Sequence, residues 1–148
     1  MKNMKTFIAK KNDLKCEHVV IDATGIPLGR LSVKITDILR GKDKPIFSPH
    51  LDIGSHVIVI NALKVLLTGK KNSNKTYKSY SGYRGGLKIK TINEIRKTNP
   101  DHIIKHAVWG MMPHGRLGRE IFKKLRVYNN DSHPHNSQKP KLLKLMID

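Results

Sequence analysis

Two short apolar runs constrain the fold of this chain most. His18–Asp22 (HVVID) and His56–Asn61 (HVIVIN) are apolar without alternation. A strand with one wet face alternates polar and apolar residues, whereas a strand covered on both faces does not. Runs this short belong inside a parallel sheet. Between them, Leu28, Leu31, Ile35, Ile38 and Leu39 recur at helical spacing and share one face of a helix that runs to about Leu39. Arg30 and Lys34 lie four residues apart on a different face, and Gly41 is placed to stop the helix.

The rest of the chain continues the alternation. Thr76–Tyr80 and Leu125–Tyr128 read as further strands. Ile92–Lys97 and Asp101–Met112 read as two helices separated at Asn99–Pro100. Leu63–Thr68 is a short element, and Gly69–Lys75 a polar basic turn carrying Lys70 and Lys71. Asn129–Pro140 is polar and turn-rich, and the tail KLLKLMID is weakly amphipathic. The expectation is a single α/β domain over 1–148 with a small, mostly parallel sheet of about four strands: 18–22, 56–61, 76–80 and 125–128. Residues 1–16 and 141–148 are extensions in this reading. The first is basic, anchored locally by Phe7 and Ile8, and is either an arm on a partner or a frayed end.

Charge sets the partner class. Lys and Arg total 29 against 11 Asp and Glu, a formal net charge of +18 on 148 residues. Such a field repels itself unless a polyanion neutralises it. Nucleic acid is the first candidate and an anionic membrane surface the second. No apolar run approaches the ~20 residues needed to span a bilayer. Cys16 is the only cysteine, which excludes an internal disulfide and a cysteine-based zinc finger. The N-terminus lacks a signal-peptide core, so a cytoplasmic or organelle-made protein is expected.

The cations cluster. Ala107–Tyr128 holds Arg116, Arg119, Lys123, Lys124 and Arg126 against one acid, Glu120. Taken as a helix, Leu117, Ile121, Phe122 and Leu125 form an apolar back, with Arg116, Arg119, Lys123 and Arg126 on the front. Unbalanced by acids, this face reads as a binding surface rather than a merely solvated one. Thr76–Lys90 interleaves Tyr77, Tyr80 and Tyr83 with Lys78, Arg84, Lys88 and Lys90. Aromatic rings stack on unpaired bases while cations hold the backbone, although strand tyrosines also serve as plain packing. Lys42, Lys44, Ser48 and His50 sit in the two-proline loop 42–54, which is either a phosphate-clasping loop or an ordinary surface loop. Leu-Gly-Arg occurs twice, at 28–30 and 117–119, each time opening an expected helix.

Catalysis lacks a positive signal. His102 and His106 are four apart, but Ile103 stands where a metalloprotease helix would carry glutamate. Asp22, Asp37, Asp52 and Glu94 are scattered, and there is no Walker loop or nucleophile elbow.

The segments VIDATGIPLGRLSVKITDILRGKDKPIFSPH, GSHVIVINALKVLLTGKK, YSGYRGG, AVWGMMPHGRLGREIFKKLRVY and HPHNSQKP occur in an order that resembles bacterial-type large-subunit ribosomal protein thirteen, over roughly residues 4–140. The resemblance implies a three-layer α/β/α fold with a mixed or parallel four-stranded sheet. It implies no catalysis, no cofactor, no metal and no small-molecule substrate. It implies binding to large-subunit ribosomal RNA, neighbouring large-subunit proteins, an early part in subunit assembly, and residence in a cytoplasmic or organellar ribosome. It leaves room for binding of its own messenger RNA as a translational regulator. The RNA-binding set expected from charge and resemblance together is Arg30, Lys34, Lys42, Lys44, Lys70, Lys71, Lys78, Arg84, Lys88, Arg116, Arg119, Lys123, Lys124 and Arg126 on phosphates, with Tyr80 and Tyr83 stacking. The chain departs from the family pattern at Trp109, where relatives usually carry lysine, so no phosphate role is carried over there. An RNA-processing enzyme using His102, His106 or the scattered acids, and a regulatory RNA-binding protein that works outside the ribosome, are the competing classes.

Overall fold

A computed structural model describes residues 9, 10, 16–143 and 145. The proposed N-terminal arm, with Phe7 and Ile8, lies almost wholly outside the described residues, as does most of the tail beyond 143. In chain order the elements are β1 (His18–Asp22), α1 (Leu28–Arg40), β2 (His56–Ile60), α2 (Lys71–Asn74), β3 (Thr76–Tyr80), β4 (Leu87–Thr91), α3 (Ile92–Thr98), α4 (Pro100–Met111), α5 (Arg116–Phe122), β5 (Leu125–Val127) and β6 (Lys141–Leu143). Short 3-10 turns cover Ala62–Lys64 and Asn136–Gln138.

The two apolar runs pair side by side and in parallel, with Val19 opposite Val57 and Ile21 opposite Val59. β5 extends the sheet beyond β2 and β6 extends it beyond β1, giving the order β5-β2-β1-β6 with every pairing parallel. One face carries Val19, Ile21, Val57, Val59 and Leu125 into a core shared with Leu31, Ile35 and Leu39 of α1, Ile103, Ile104 and Val108 of α4, and Ile121 of α5. Val20 and Ile58 alternate to the opposite face and are buried too. Both faces of β1 and β2 are therefore withdrawn from water, which is why these strands need no polar side. Each fully buried aliphatic side chain contributes roughly 1.5–3 kcal/mol.

Local chemistry sets the ends of the helices. Gly41 closes α1 in the left-handed region (φ 74°), and its N–H meets the carbonyls of Asp37 and Ile38. The chain then returns so closely that a Cβ on Gly54 would stand 1.6 Å from the Leu39 carbonyl oxygen. Only glycine fits there. Thr91 and Glu94 form a reciprocal capping box, so α3 begins directly where β4 ends. Pro100 occupies the first turn of α4, where its missing N–H costs nothing.

Two expectations change. Thr76–Tyr80 is a strand, but it does not join the parallel sheet. It pairs antiparallel with β4 in a separate hairpin, with Tyr77 opposite Lys90 and Tyr80 opposite Leu87. The turn 81–86 is too short for a parallel crossover but long enough for a hairpin, with Gly82 and Gly85 at positive φ. The fourth strand of the main sheet comes instead from the tail, where Lys141–Leu143 lies along β1. The second change concerns Ala107–Tyr128. It is not one basic helix: α4 ends at Met111, α5 spans only Arg116–Phe122, and Leu125–Val127 is already sheet.

Candidate nucleic-acid interface

The shortening of α5 redistributes its cations. Arg116 and Arg119 remain on the exposed side of the helix while Ile121 is buried. Lys123 follows the helix and pairs with Glu120 at 2.9 Å, both side chains well exposed. Arg126 sits on β5 opposite Ile58, so it alternates to the sheet face away from the helices, and it is exposed. Lys124 turns inward. Its Nζ lies 2.6 Å from the Asp52 carboxylate and donates to the Gly54 carbonyl at 3.1 Å, with only 13% of the side chain exposed. The helical-front grouping of Arg126 with Arg116 and Arg119 is thus corrected, and Lys124 ties the loop before β2 to the start of β5.

The two Leu-Gly-Arg triplets differ in the same manner. Around Gly29 a Cβ would meet nothing within 4 Å. At Gly118 it would stand 1.8 Å from the Pro113 carbonyl oxygen. The first glycine leaves the start of α1 open; the second exists for close packing of α5. Arg30 and Lys34 are exposed on α1. A cleft of about 260 Å³ joins the start of α1 (Pro27, Leu28, Gly29) to Lys71, Lys75 and Met111. Lys70 is exposed as well, and Lys71 also reaches the Thr68 hydroxyl at 3.3 Å.

Loop 42–54 is folded on itself rather than open around a ligand. Lys44 Nζ donates to the Ile53 carbonyl at 3.0 Å, and Lys42 lies 3.7 Å from the Asp37 carboxylate. Ser48 is half-buried and His50 exposed.

The hairpin presents a further accessible set. Lys78, Arg84 and Lys88 are exposed, and Tyr80 and Tyr83 are 66% and 80% exposed. Strand alternation puts Lys78, Tyr80, Leu87 and Ile89 on one face. Tyr77, Ser79, Lys88 and Lys90 take the other, which turns toward α3 and α4. There Tyr77 meets His102 and His106 edge-on, at ring-centre distances of 6.0 and 5.0 Å, with Lys75 Nζ 5.4 Å from its ring centre. Burial, reinforced by the neighbouring charges of His102 and Lys75, holds the His106 pKa below the usual imidazole value. Burial also raises the Tyr77 hydroxyl. Both shifts favour the uncharged form of the group. Sequence reading singled out Tyr77, His102 and His106 but not their meeting. A helix face and a strand separated by twenty-odd residues carry no local signal of contact.

Other cations are structural. Arg96 forks onto the carbonyls of Leu63 and Val65, its Nη2 lying 2.9 and 2.6 Å from them, and so fastens α3 to the segment after β2. Trp109 is half-buried and packs edge-on against Phe122 and His114, at 5.1 and 5.6 Å, joining α4 to α5. Packing accounts for the aromatic ring at this position. Among the described residues no group of three His, Cys, Asp or Glu converges to hold a metal ion, and no helix is long and apolar enough to cross a membrane.

Comparison with known proteins adds a family likeness. The profile of the family described as ribosomal protein L13 matches residues 16–134. Large ribosomal subunit protein uL13 of Finegoldia magna is 49% identical over 142 residues, covering 96% of this chain and 99% of that protein. The protein of the same name from Geobacillus kaustophilus is 51% identical over 140 residues, covering 95% and 97%. That from Chlorobium chlorochromatii is 47% identical over 143 residues, covering 97% and 96%.

Proposed function

The chain belongs to the ribosomal protein L13 family, and on that premise we propose that it is a structural, non-catalytic constituent of the large ribosomal subunit whose cationic surface binds ribosomal RNA. The observation that carries this reading is the near-full-length likeness to proteins named for that subunit. The net charge of +18 supports it independently.

In this reading Arg30, Lys34, Lys70, Lys71, Lys78, Arg84, Lys88, Arg116, Arg119, Lys123 and Arg126 neutralise phosphates. Lys42, Lys44 and Lys124 brace loop 42–54 and add to the field at longer range. Tyr80 and Tyr83 offer open rings to unpaired bases. Neighbouring large-subunit proteins are the second class of partner. An early place in assembly and binding of its own messenger RNA extend the proposal, since a structured message presenting a like phosphate pattern would meet the same surface.

Sedimentation tests the central statement. The protein should travel with large subunits and leave them only at high salt or after ribonuclease. A protein that stays at the top of the gradient in growing cells refutes it. Depletion should accumulate a light large-subunit precursor if the protein acts early. Competition between ribosomal RNA and its own message for one site tests the regulatory extension.

A further inference from the structure

The cleft between the β3–β4 hairpin and helices α3 and α4 has a chemistry that the outward-facing cations do not share. It encloses about 310 Å³, at the lower end of the range for small-molecule sites. Tyr77, His102 and His106 supply its aromatic lining, and Lys90 contributes charge from the hairpin. No carboxylate lines it. Among the described residues, the ring nitrogens of His102 and His106 and the side-chain amide of Asn99 make no hydrogen bond, so donors and acceptors remain for a ligand. With the His106 pKa held low, the aromatic lining suits a planar group and Lys90 suits an anion. Two imidazoles without a third ligand do not make a metal site.

We propose that this cleft takes one unpaired RNA nucleotide, its base against Tyr77, His102 and His106, its edge read by Asn99, and its phosphate at Lys90. The volume admits a single nucleotide and excludes a duplex. The proposal rests on the RNA-binding reading above and adds a base-reading slot to a surface otherwise built for phosphates. The slot lies on the face of the hairpin opposite Tyr80, so the two strands would be held by RNA from both sides.

The test has two arms on the full-length protein. In the first, the histidine side-chain NMR signals are followed while each of the four nucleoside 5′-monophosphates is added, with ribose 5-phosphate as control. Saturable movement of the His102 and His106 signals with a nucleotide, and none with ribose 5-phosphate, is expected. Equal movement with both, or none with any nucleotide, overturns the slot. In the second, binding to a large-subunit ribosomal RNA fragment is measured across a salt series for wild type, Asn99→Ala, His106→Ala and Lys90→Gln. Asn99→Ala and His106→Ala should each weaken binding about tenfold without changing the salt slope, while Lys90→Gln should lower the slope by about 0.7. Asn99 is exposed, so its variant should keep the fold even if His106→Ala does not. If wild type binds with a steep salt slope and Asn99→Ala binds equally well, the slot is wrong and the surface reading stands. If wild type does not bind the fragment, the surface reading is wrong, and the nucleotide titration alone decides the slot.

Discussion

The chain builds β-structure twice, by opposite means. In β2, Val57, Ile58 and Val59 are 0%, 1% and 0% exposed. In the hairpin, Tyr80, Leu87 and Ile89 are 66%, 55% and 54% exposed, and only Tyr77 and Thr91 of its strand residues are half-covered. The two central strands of the parallel sheet are held by burial on both faces. The hairpin buries little within this chain, and an isolated two-stranded ribbon is marginal in water. It is held at its base, where Tyr77 packs on α4 and Thr91 caps α3. A region that displays β-branched, aromatic and basic side chains without covering them is arranged for a partner's surface rather than for its own core.

That contrast can be broken at the sheet end first. Gly54→Ala should have the largest effect, because its Cβ would meet the Leu39 carbonyl 1.6 Å away, and this neighbour is backbone that cannot swing aside. The expected loss is at or above the ~3 kcal/mol upper end of ordinary overpacking. Thermal and urea unfolding measure it. A variant within ~0.5 kcal/mol of wild type would mean that α1 and the strand after it are not held so closely. At the hairpin end, Lys78→Gln, Arg84→Gln and Lys88→Gln combined should leave stability nearly untouched, since exposed substitutions usually stay within ~0.5 kcal/mol each. The same triple variant should lower the slope of log affinity against log salt by about 2 on a ribosomal RNA fragment. Loss of stability with an unchanged slope would reverse the assignment of roles to the two regions.

Tyr83 sharpens the comparison with a single ring. At 80% exposed it contributes almost nothing to the fold, whereas a stacked base would make it worth ~1–3 kcal/mol of binding. Tyr83→Ala should therefore bind RNA roughly 5- to 150-fold more weakly with an unchanged melting temperature. Tyr83→Phe should bind as wild type, because the face stacks and the hydroxyl does not. Equal weakening in both variants would point to a hydrogen bond from the phenol instead.

The same division governs what could be read in advance. β1, α1 and β2 were legible because their residues carry period and burial together: Leu31, Ile35 and Leu39 recur at helical spacing, and Val57–Val59 have no polar face. The hairpin strand Thr76–Tyr80 was legible as a strand but not as a separate sheet, because pairing depends on what Leu87–Thr91 does and not on its own pattern. Lys141–Leu143 escaped because three residues show no period, and their register along β1 is a tertiary fact. Within the candidate interface, charge could be counted but not assigned. Lys124 and Arg126 look alike in sequence, and at i and i+2 of one strand they would share a face, yet one is sealed onto Asp52 and the other faces out. At this site Lys124 precedes the strand, and a carboxylate seventy-two residues back claims it.

The smallest expected effect lies at the junction of the two well-buried strands with their loops. Asp22 ends β1, and its carboxylate accepts from the Thr24 hydroxyl at 2.7 Å, the Thr24 backbone N–H at 3.0 Å and the Asn61 amide at 3.0 Å. Burial alone would raise its pKa, but these hydrogen bonds and nearby Lys64 together outweigh it and hold the group below its ordinary value of 3.8. A carboxylate lowered in the folded state binds a proton more readily when unfolded. Its contribution is therefore fully present above the unfolded value and is lost as pH falls through the folded one. Asp22→Ala should be less stable than wild type near pH 7, and that gap should narrow as pH drops below about 4. Urea unfolding of both proteins at pH 7 and pH 3 gives the double difference. A gap that is the same at both values would mean that Asp22 acts through shape alone and that its charge does not help to fasten β1 to the turn after β2.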